Sequence, residues 1–336
     1  MLSFQSRRPQ ADGFAFCAAV LFFCASKISL AGAAPVCPAG EPSASVQRIV
    51  DVMATGRFVG YSPTSLQVYN GQTTPADDAS MVEDLKVLRT RFDGLITYSV
   101  LNGAERIPDI AASLGYRAVI MGIYDITNVD ERANVVAAAK RQPNVVVGAS
   151  VGNEVVYGKR ASFDDIAIAM GRLRRAAPQL AIATTEPFHV LMQPQAMPVL
   201  QAGDIVLANI HPVFEPWFKT APDANGAEFV TNVTADLARM YCGPILVKET
   251  GVPTAPARKG FTPQRQASFY RALQKQFVPT ARRAFAYFSA FDAPWRVYDA
   301  HPIPGDYPEE AHWGLYDEKR NPKPVVDVIP LLAPKR

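Results

Sequence analysis

The chain has 336 residues, of which 49% are hydrophobic and 19% are charged, and its formal net charge at pH 7 is +3. A charge this small gives no reason to expect binding to nucleic acid or to an anionic membrane surface, and the apolar content excludes a largely disordered chain. The length suits one large domain, because a barrel of alternating strands and helices needs about 250 residues.

The first 33 residues predict a signal peptide. Arg7 and Arg8 form a basic region, residues 14–25 are an apolar stretch, and Ala31-Gly32-Ala33 offers small residues for cleavage. The apolar stretch is too short to span a bilayer comfortably, so we expect removal near Ala33, with an uncleaved anchor as the alternative. The mature protein is therefore expected to be periplasmic or secreted, with no stable membrane insertion.

Three segments follow the predicted cleavage site. Residues 34–56 are expected to form an N-terminal arm, residues 57–330 the barrel, and residues 331–336 a short tail. The arm contains Cys37, and Cys242 lies shortly before the seventh predicted strand. In an oxidising compartment these two cysteines favour one disulfide that attaches the arm to this part of the barrel, and two free thiols are the alternative.

Eight short apolar runs alternate with helical patterns along the mature chain. The runs predict strands over residues 57–61, 94–99, 118–123, 145–151, 180–185, 205–210, 245–248 and 283–290. An Asn70-Gly71 turn is expected after the first strand. Helices are expected over 77–91, 107–114 and 130–141, after Ser162, after Thr262, and past Pro324 to Ile329. This alternation predicts a single (β/α)8 TIM barrel. An open doubly wound sheet has the same alternation, but no Gly-x-Gly-x-x-Gly follows the first strand.

The fourth and seventh predicted strands both lead to a glutamate. Val145–Val151 is followed by Glu154, and Ile245–Lys248 is followed by Glu249. In a barrel the C-terminal ends of the strands form the active-site face. A glycosidase needs two carboxyl groups, one that protonates the leaving oxygen and one that attacks the anomeric carbon or activates water. A structural glutamate that caps a turn or pairs with an arginine is the alternative for Glu154.

Two motifs resemble those of a known family. Val151-Gly152-Asn153-Glu154 and Glu249-Thr250-Gly251-Val252-Pro253 are similar to the catalytic motifs of the family 17 glycoside hydrolases, the β-1,3-glucanases and their transglycosylating relatives. The resemblance implies that Glu154 is the general acid/base and Glu249 the nucleophile of a retaining enzyme. The two carboxyl groups would then stand about 5 to 5.5 Å apart. Glu154 must hold a proton near neutral pH, whereas Glu249 must stay ionised.

The same resemblance implies roles for residues near the two glutamates. Asn153 would hydrogen-bond the 2-hydroxyl of the sugar, although an asparagine that fixes its own turn is the alternative. Tyr98 lies in the second predicted strand and matches a strand-two tyrosine of the family, and core packing is its alternative. His211, at a position where many relatives carry tyrosine, could hydrogen-bond Glu249.

Further candidates for substrate binding lie at other strand ends. Tyr61 ends the first predicted strand, and Glu186 follows the fifth. Trp295 follows the eighth and offers a face on which a pyranose ring can stack. Phe214 and Trp217 could stack in the same way from the segment after the sixth strand. For Trp313 we expect a place in the core.

The expected function is therefore retaining hydrolysis of β-1,3-glucan by an exported monomer. A β-1,3-glucan transglycosylase that remodels or cyclises periplasmic glucans is the alternative, since Ile96, Val252 and Arg296 depart from the usual family pattern on the substrate side. A non-catalytic glucan-binding barrel is a third hypothesis, which the intact glutamate pair disfavours. The four histidines have neither His-x-His nor His-Glu-x-x-His spacing, so no metal and no cofactor are expected.

Overall fold

The structure is a computed structural model, and it describes residues 34–38, 40–69, 72–298 and 305–332. The predicted signal peptide, the Asn70-Gly71 turn and residues 333–336 of the predicted tail lie outside the described residues. Within the described ranges, none of the helices has the length and hydropathy that a transmembrane span requires.

Eight parallel strands form a closed barrel. In chain order they are β1 (Phe58–Gly60), β2 (Gly94–Ile96), β3 (Ala118–Ile123), β4 (Val146–Asn153), β5 (Ala181–Pro187), β6 (Val206–Asn209), β7 (Ile245–Glu249) and β8 (Arg283–Tyr287). Each strand pairs with the next, and β8 closes on β1 where Ala286 pairs with Phe58. Consecutive parallel strands require a crossover, and helices supply it. The predicted (β/α)8 barrel is confirmed, with each strand at its expected place.

Helices surround the barrel and precede it. They are α1 (Ala44–Thr55), α2 (Asp78–Arg89), α3 (Ile107–Ser113), α4 (Val129–Arg141), α5 (Phe163–Ala176), α6 (Phe188–Leu191), α7 (Met197–Ala202), α8 (Asp223–Met240) and α9 (Pro263–Gln276). Ser162 caps α5 in a capping box with Asp165, and Thr262 caps α9 directly before Pro263, as their sequences predict.

Two helical segments differ from the sequence-based expectation. The expected helix past Pro324 is wrong, because Pro324–Val328 is only a short 3-10 turn. Helix α8 was not predicted. Its buried residues Ala227, Val230 and Leu237 have helical spacing, but the Asn225-Gly226 pair at its start is a typical turn signal.

The segment expected to be an arm contains α1, which belongs to the core of the barrel. Val46, Ile49, Val52 and Met53 of α1 pack in one cluster with inward-facing strand residues such as Leu246. Helix α1 therefore closes the N-terminal end of the barrel, opposite the end at which both glutamates lie.

Cys37 and Cys242 form a disulfide whose Cα atoms are 5.0 Å apart. Beside it, the amide of Val36 donates to the carbonyl of Met240 at 2.8 Å, and the amide of Cys242 donates to the carbonyl of Val36 at 2.9 Å. The N-terminal segment is thereby attached close to the start of β7.

The double variant Cys37→Ser/Cys242→Ser is expected to lower the free energy of unfolding by about 2–5 kcal/mol, because the bridge joins residues 205 positions apart and restricts the unfolded chain. Thermal unfolding should show a midpoint several degrees lower, with unchanged activity at low temperature since the bridge lies away from the glutamates. An unchanged midpoint, or two titratable thiols in the non-reduced wild type, would contradict the bridge.

Candidate active site

An irregularity near the end of β4 brings Asn153 and Glu154 to the opening of the barrel. The pairing of β4 with β5 is regular up to Ser150 and then shifts before Asn153. Gly152 has φ +86°, and a Cβ there would lie 2.7 Å from the side chain of Val155. Glu154 has φ +53°, a left-handed conformation that few non-glycine residues adopt. A bulge of this kind bends a strand and changes the direction of the side chains that follow it.

A second irregularity lies in β7 at Lys248. Ala208 pairs with Val247 and Asn209 with Glu249, so the register passes over Lys248. Neighbouring side chains on a regular strand point to opposite faces, but the bulge lets Lys248 and Glu249 meet. The Lys248 Nζ donates to Glu249 Oε1 at 2.8 Å, and the two residues are only 1% and 5% exposed.

The environment of Glu249 favours its ionised form. His211 Nε2 lies 3.4 Å from Glu249 Oε2, on the side opposite to the contact with Lys248. Burial by itself would raise the pKa of Glu249, but the Lys248 charge and the contact with His211 outweigh it and hold this pKa below its ordinary value. The predicted nucleophile is therefore the carboxylate that this site keeps charged.

The environment of Glu154 favours the opposite form. Burial and the negative charge of the nearby Glu249 raise the pKa of Glu154, and they outweigh the hydrogen bond from Asn209. That bond runs from Asn209 Nδ2 to Glu154 Oε1 at 2.8 Å. Two carboxyl groups whose environments shift their pKa values in opposite directions are suited to one acid and one nucleophile in the same site.

Three of the predicted sugar-binding residues converge on the two glutamates. Asn153 Oδ1 accepts a hydrogen bond from Lys248 Nζ at 2.6 Å. The same ammonium lies 4.4 Å from the centre of the Tyr98 ring. Burial, followed by the negative charge of Glu249, raises the pKa of Tyr98. Together with His211, these side chains border the space between the two carboxyl groups.

Room for Tyr98 depends on Gly60 at the end of β1. A Cβ at Gly60 would lie 2.6 Å from the Tyr98 hydroxyl oxygen. Any larger residue at this position would therefore force the Tyr98 phenol to move.

Two other predicted substrate-binding residues are fully buried and make structural contacts instead, so these predictions are corrected. Tyr61 is fully buried, and its hydroxyl donates to Asp84 Oδ2 at 2.9 Å in the layer between the barrel and α2. Glu186 is also fully buried, and its two oxygens accept from the amides of Val156 at 2.8 Å and Tyr157 at 3.1 Å. Neither side chain offers a surface to a sugar. Glu186 instead holds the turn that follows Glu154.

The aromatic candidates are divided between surface and core. Phe214 and Trp217 are 54% and 36% exposed on the segment after β6, whereas Trp313 is 2% exposed and packs against His211, as expected for a core residue. Trp295 is half-buried on the turn after β8, and its contact with substrate stays a prediction.

The sequence reasoning missed two residues of the site. Asn209 is the last residue of an apolar strand, and Lys248 interrupts an apolar run directly before Glu249. Both positions carry a detectable signal, a polar residue at the C-terminal end of a barrel strand. In the part of the chain that the structure describes, no cluster of three or more histidine, cysteine, aspartate or glutamate side chains could hold a metal ion.

The sequence is similar to those of known glycoside hydrolases. The profile of the BtgE/BtgC glycoside hydrolase domain matches residues 60–314. A curated relative, the glucan 1,3-beta-glucosidase of Arthroderma benhamiae, is 26% identical over 265 residues, which are 74% of this chain and 84% of the relative.

Solved structures share the fold. The glycoside hydrolase family 17 beta-1,3-glucanosyltransferase from Rhizomucor miehei superposes with a TM-score of 0.60 at 20% identity, over 81% of this chain and 97% of the other. An endo-laminarinase from Formosa Hel1_33_131 superposes with a TM-score of 0.65 at 17% identity, over 82% of this chain and 86% of the other.

Proposed function

The chain belongs to the BtgE/BtgC glycoside hydrolase family, and we propose that it cleaves β-1,3-glucan with retention of configuration. Its identification from sequence as a glycoside hydrolase is thereby confirmed. One observation carries the mechanistic proposal. Glu154 and Glu249 lie at the C-terminal ends of β4 and β7, on the same side of the barrel, and their surroundings shift their pKa values in opposite directions. Retaining glycosidases use such a pair as acid/base and nucleophile.

In the first step, Glu249 attacks the anomeric carbon while the bond from that carbon to the leaving oxygen breaks. Glu154 gives its proton to the leaving oxygen, so that the departing sugar leaves as a neutral alcohol. The product of this step is a glycosyl ester on Glu249.

In the second step, Glu154 acts as a base. The ester has no charge, so the negative charge that raised the pKa of Glu154 is removed and this carboxyl ionises more readily. Glu154 then takes a proton from water or from a sugar hydroxyl as that oxygen attacks the anomeric carbon, and Glu249 is released as a carboxylate.

The pH profile of kcat/KM is expected to have two limbs on either side of the ordinary glutamate pKa of about 4.3. Activity should fall at low pH as Glu249 takes up a proton, and this limb lies below the ordinary value because the pKa of Glu249 is lowered. Activity should fall at high pH as Glu154 loses its proton, and this limb lies above it because the pKa of Glu154 is raised. Initial rates on a β-1,3-glucan oligosaccharide test this, and a rate that still rises well above pH 4.3 on the acidic side would contradict it.

Two observations support a glucan chain as the substrate. The curated relative is named a glucan 1,3-beta-glucosidase, and the two structures above are named a beta-1,3-glucanosyltransferase and an endo-laminarinase. Among the described residues, the exposed large aromatic side chains all lie on segments that follow the C-terminal ends of barrel strands, and they are Tyr69, Tyr124, Phe214, Trp217 and Tyr298. Aromatic faces on the same side as the glutamates suit the apolar faces of a chain of sugar rings.

Glucanosyl transfer is the second candidate function. It uses the same two carboxyl groups and differs only in the acceptor of the second step. The likeness to the Rhizomucor miehei enzyme, over nearly all of that chain, is the observation that favours it.

Product analysis in water enriched in heavy oxygen separates the two functions. The mature protein is incubated with linear β-1,3-glucan oligosaccharides, and the masses of the products are measured by mass spectrometry. Shorter sugars that carry the heavy label indicate hydrolysis, and longer or cyclic unlabelled sugars indicate transfer. Unchanged oligosaccharides would overturn the proposed substrate.

The proposed place of action is outside the cytoplasm. The sequence of residues 1–33 and the Cys37–Cys242 disulfide support export, because disulfides persist in oxidising compartments. Fractionation of cells that express the full chain, followed by determination of the N-terminus, tests export and cleavage near Ala33.

A further inference from the structure

Lys248 carries a buried charge next to the proposed nucleophile. We propose that Lys248 is a positioning residue of the reaction, which neutralises the Glu249 carboxylate and fixes the orientation of the Asn153 amide toward the substrate. This inference rests on the function proposed above.

The contacts of Lys248 are confined to the site. Its ammonium donates to Glu249 Oε1 at 2.8 Å and to Asn153 Oδ1 at 2.6 Å, and it lies 4.4 Å from the centre of the Tyr98 ring. The side chain is only 1% exposed. A buried ammonium is costly unless it is paired and hydrogen-bonded, so this arrangement differs from a surface ion pair, which contributes little.

The bulge in β7 makes this contact possible. On a regular strand Lys248 and Glu249 would point to opposite sides, and a lysine directly before the nucleophile would face away from it. The register shift between Asn209 and Ala208 opposite β7 removes that alternation. The strand therefore presents two adjacent charged residues to the same opening.

Lys248 also determines which way the Asn153 amide faces. An ammonium can only donate hydrogen bonds, so the atom of Asn153 that meets it must be the carbonyl oxygen. The two amide N–H donors are then directed away from Lys248. A donor from Asn153 is what the 2-hydroxyl oxygen of the bound sugar requires, and this bond strengthens in the transition state.

The charge of Lys248 acts in both steps of the proposed reaction. Before the first step it stabilises the ionised Glu249. After the ester has formed, Glu249 is neutral, and the Lys248 charge favours the ionised form of Glu154, which must now act as a base. A positive charge in this place therefore assists the nucleophile first and the base second.

The other charged or titratable groups around this site come from five strand ends. They are Tyr98 after β2, Glu154 after β4, Glu186 at the end of β5, His211 after β6 and Arg296 after β8. His211 also contacts the Glu249 carboxylate, at 3.4 Å. The Lys248 charge is the largest influence that favours ionised Glu249, so its removal should be visible as a change in the ionisation of Glu249.

The variant Lys248→Met keeps most of the side-chain volume and removes the charge. We expect kcat/KM on a β-1,3-glucan oligosaccharide to fall by about 10²–10³-fold and the acidic limb of its pH profile to move up by about one pH unit or more. Lys248→Arg keeps the positive charge and should restore the acidic limb of the pH profile to its wild-type position. This holds even if the larger guanidinium group lowers the rate.

A matched control is Lys259→Met. Lys259 also pairs with a carboxylate, Glu309 Oε2 at 2.7 Å, but it lies on the loop after β7 and not in the strand beside the nucleophile. This variant should leave the pH profile in place. If Lys248→Met loses activity with an unmoved acidic limb, Lys248 has only a structural role, and an unchanged rate would overturn the proposal altogether.

A measurement on the wild type covers the case in which Lys248→Met fails to fold. The rate of inactivation by a 2-deoxy-2-fluoro glucoside depends on the ionised nucleophile, and its pH dependence should show a limb below the ordinary glutamate value of about 4.3. A limb at or above that value would contradict the role of Lys248. Activity of the wild type on glucan separates this failure from a failure of the proposed function, in which no β-glucan would react.

Discussion

Glu249→Gln is expected to lower kcat/KM at least about 10⁴-fold on every substrate, because an amide cannot form the glycosyl ester. Activated leaving groups should not rescue the variant, since the missing step is the attack on the anomeric carbon. The substitution keeps the side-chain shape, and the amide can still meet Lys248 through its oxygen. We therefore expect a folded barrel that binds glucan and does not turn it over.

The control for this variant is Glu309→Gln. Glu309 is also a buried glutamate paired with a lysine, Lys259, but it lies on the loop after β8. Its rate should remain close to that of the wild type. Activity of Glu249→Gln above about one hundredth of the wild-type value would show that another group attacks the sugar.

Glu154→Ala is expected to have an effect that depends on the leaving group. On a glucan the rate should fall by about 10²–10⁴-fold, because the leaving oxygen no longer receives a proton. On an aryl glucoside with an acidic phenol, the first step needs no proton and should persist. The second step then becomes slow, since no base activates water.

Azide tests the proposed role of Glu154 as the general acid/base. A small anion can enter the space left by the carboxyl group and attack the glycosyl ester without a base. Azide should therefore accelerate Glu154→Ala on the aryl glucoside and give the β-glycosyl azide, with no effect on the wild type. A variant that azide does not accelerate, or that gives the α-azide, would count against the proposed acid/base.

The barrel could be predicted because each strand is a short apolar run buried on both faces, with a polar residue or turn at its end. Helix α8 could not, because an Asn-Gly pair at its start obscures the spacing of Ala227, Val230 and Leu237. Helix α1 could not be predicted either, for another reason. Its apolar face closes the bottom of the barrel, and a helix before the first strand is not part of the repeating pattern.

The positions of site residues along the strands could be predicted, but their directions could not. Four of the predicted site residues lie at or just after the end of a strand, and they are Tyr61, Asn153, Glu186 and His211. Tyr61 nevertheless turns outward to Asp84. A residue just past a strand end can face either way, and the choice is made by bulges and by the left-handed conformation of residues such as Glu154. The pairing of Lys248 with Glu249 depends on a bulge that the sequence does not reveal.

Trapping the covalent intermediate tests the central claim most directly. The mature protein is inactivated with a 2-deoxy-2-fluoro β-glucoside that has a good leaving group, digested, and mapped by mass spectrometry. We expect one added fluoro-sugar on the peptide that contains Glu249. Addition of a sugar acceptor or azide should release this fluoro-sugar and restore full activity. A label on the peptide of Glu154, or products of inverted configuration without any label, would contradict it.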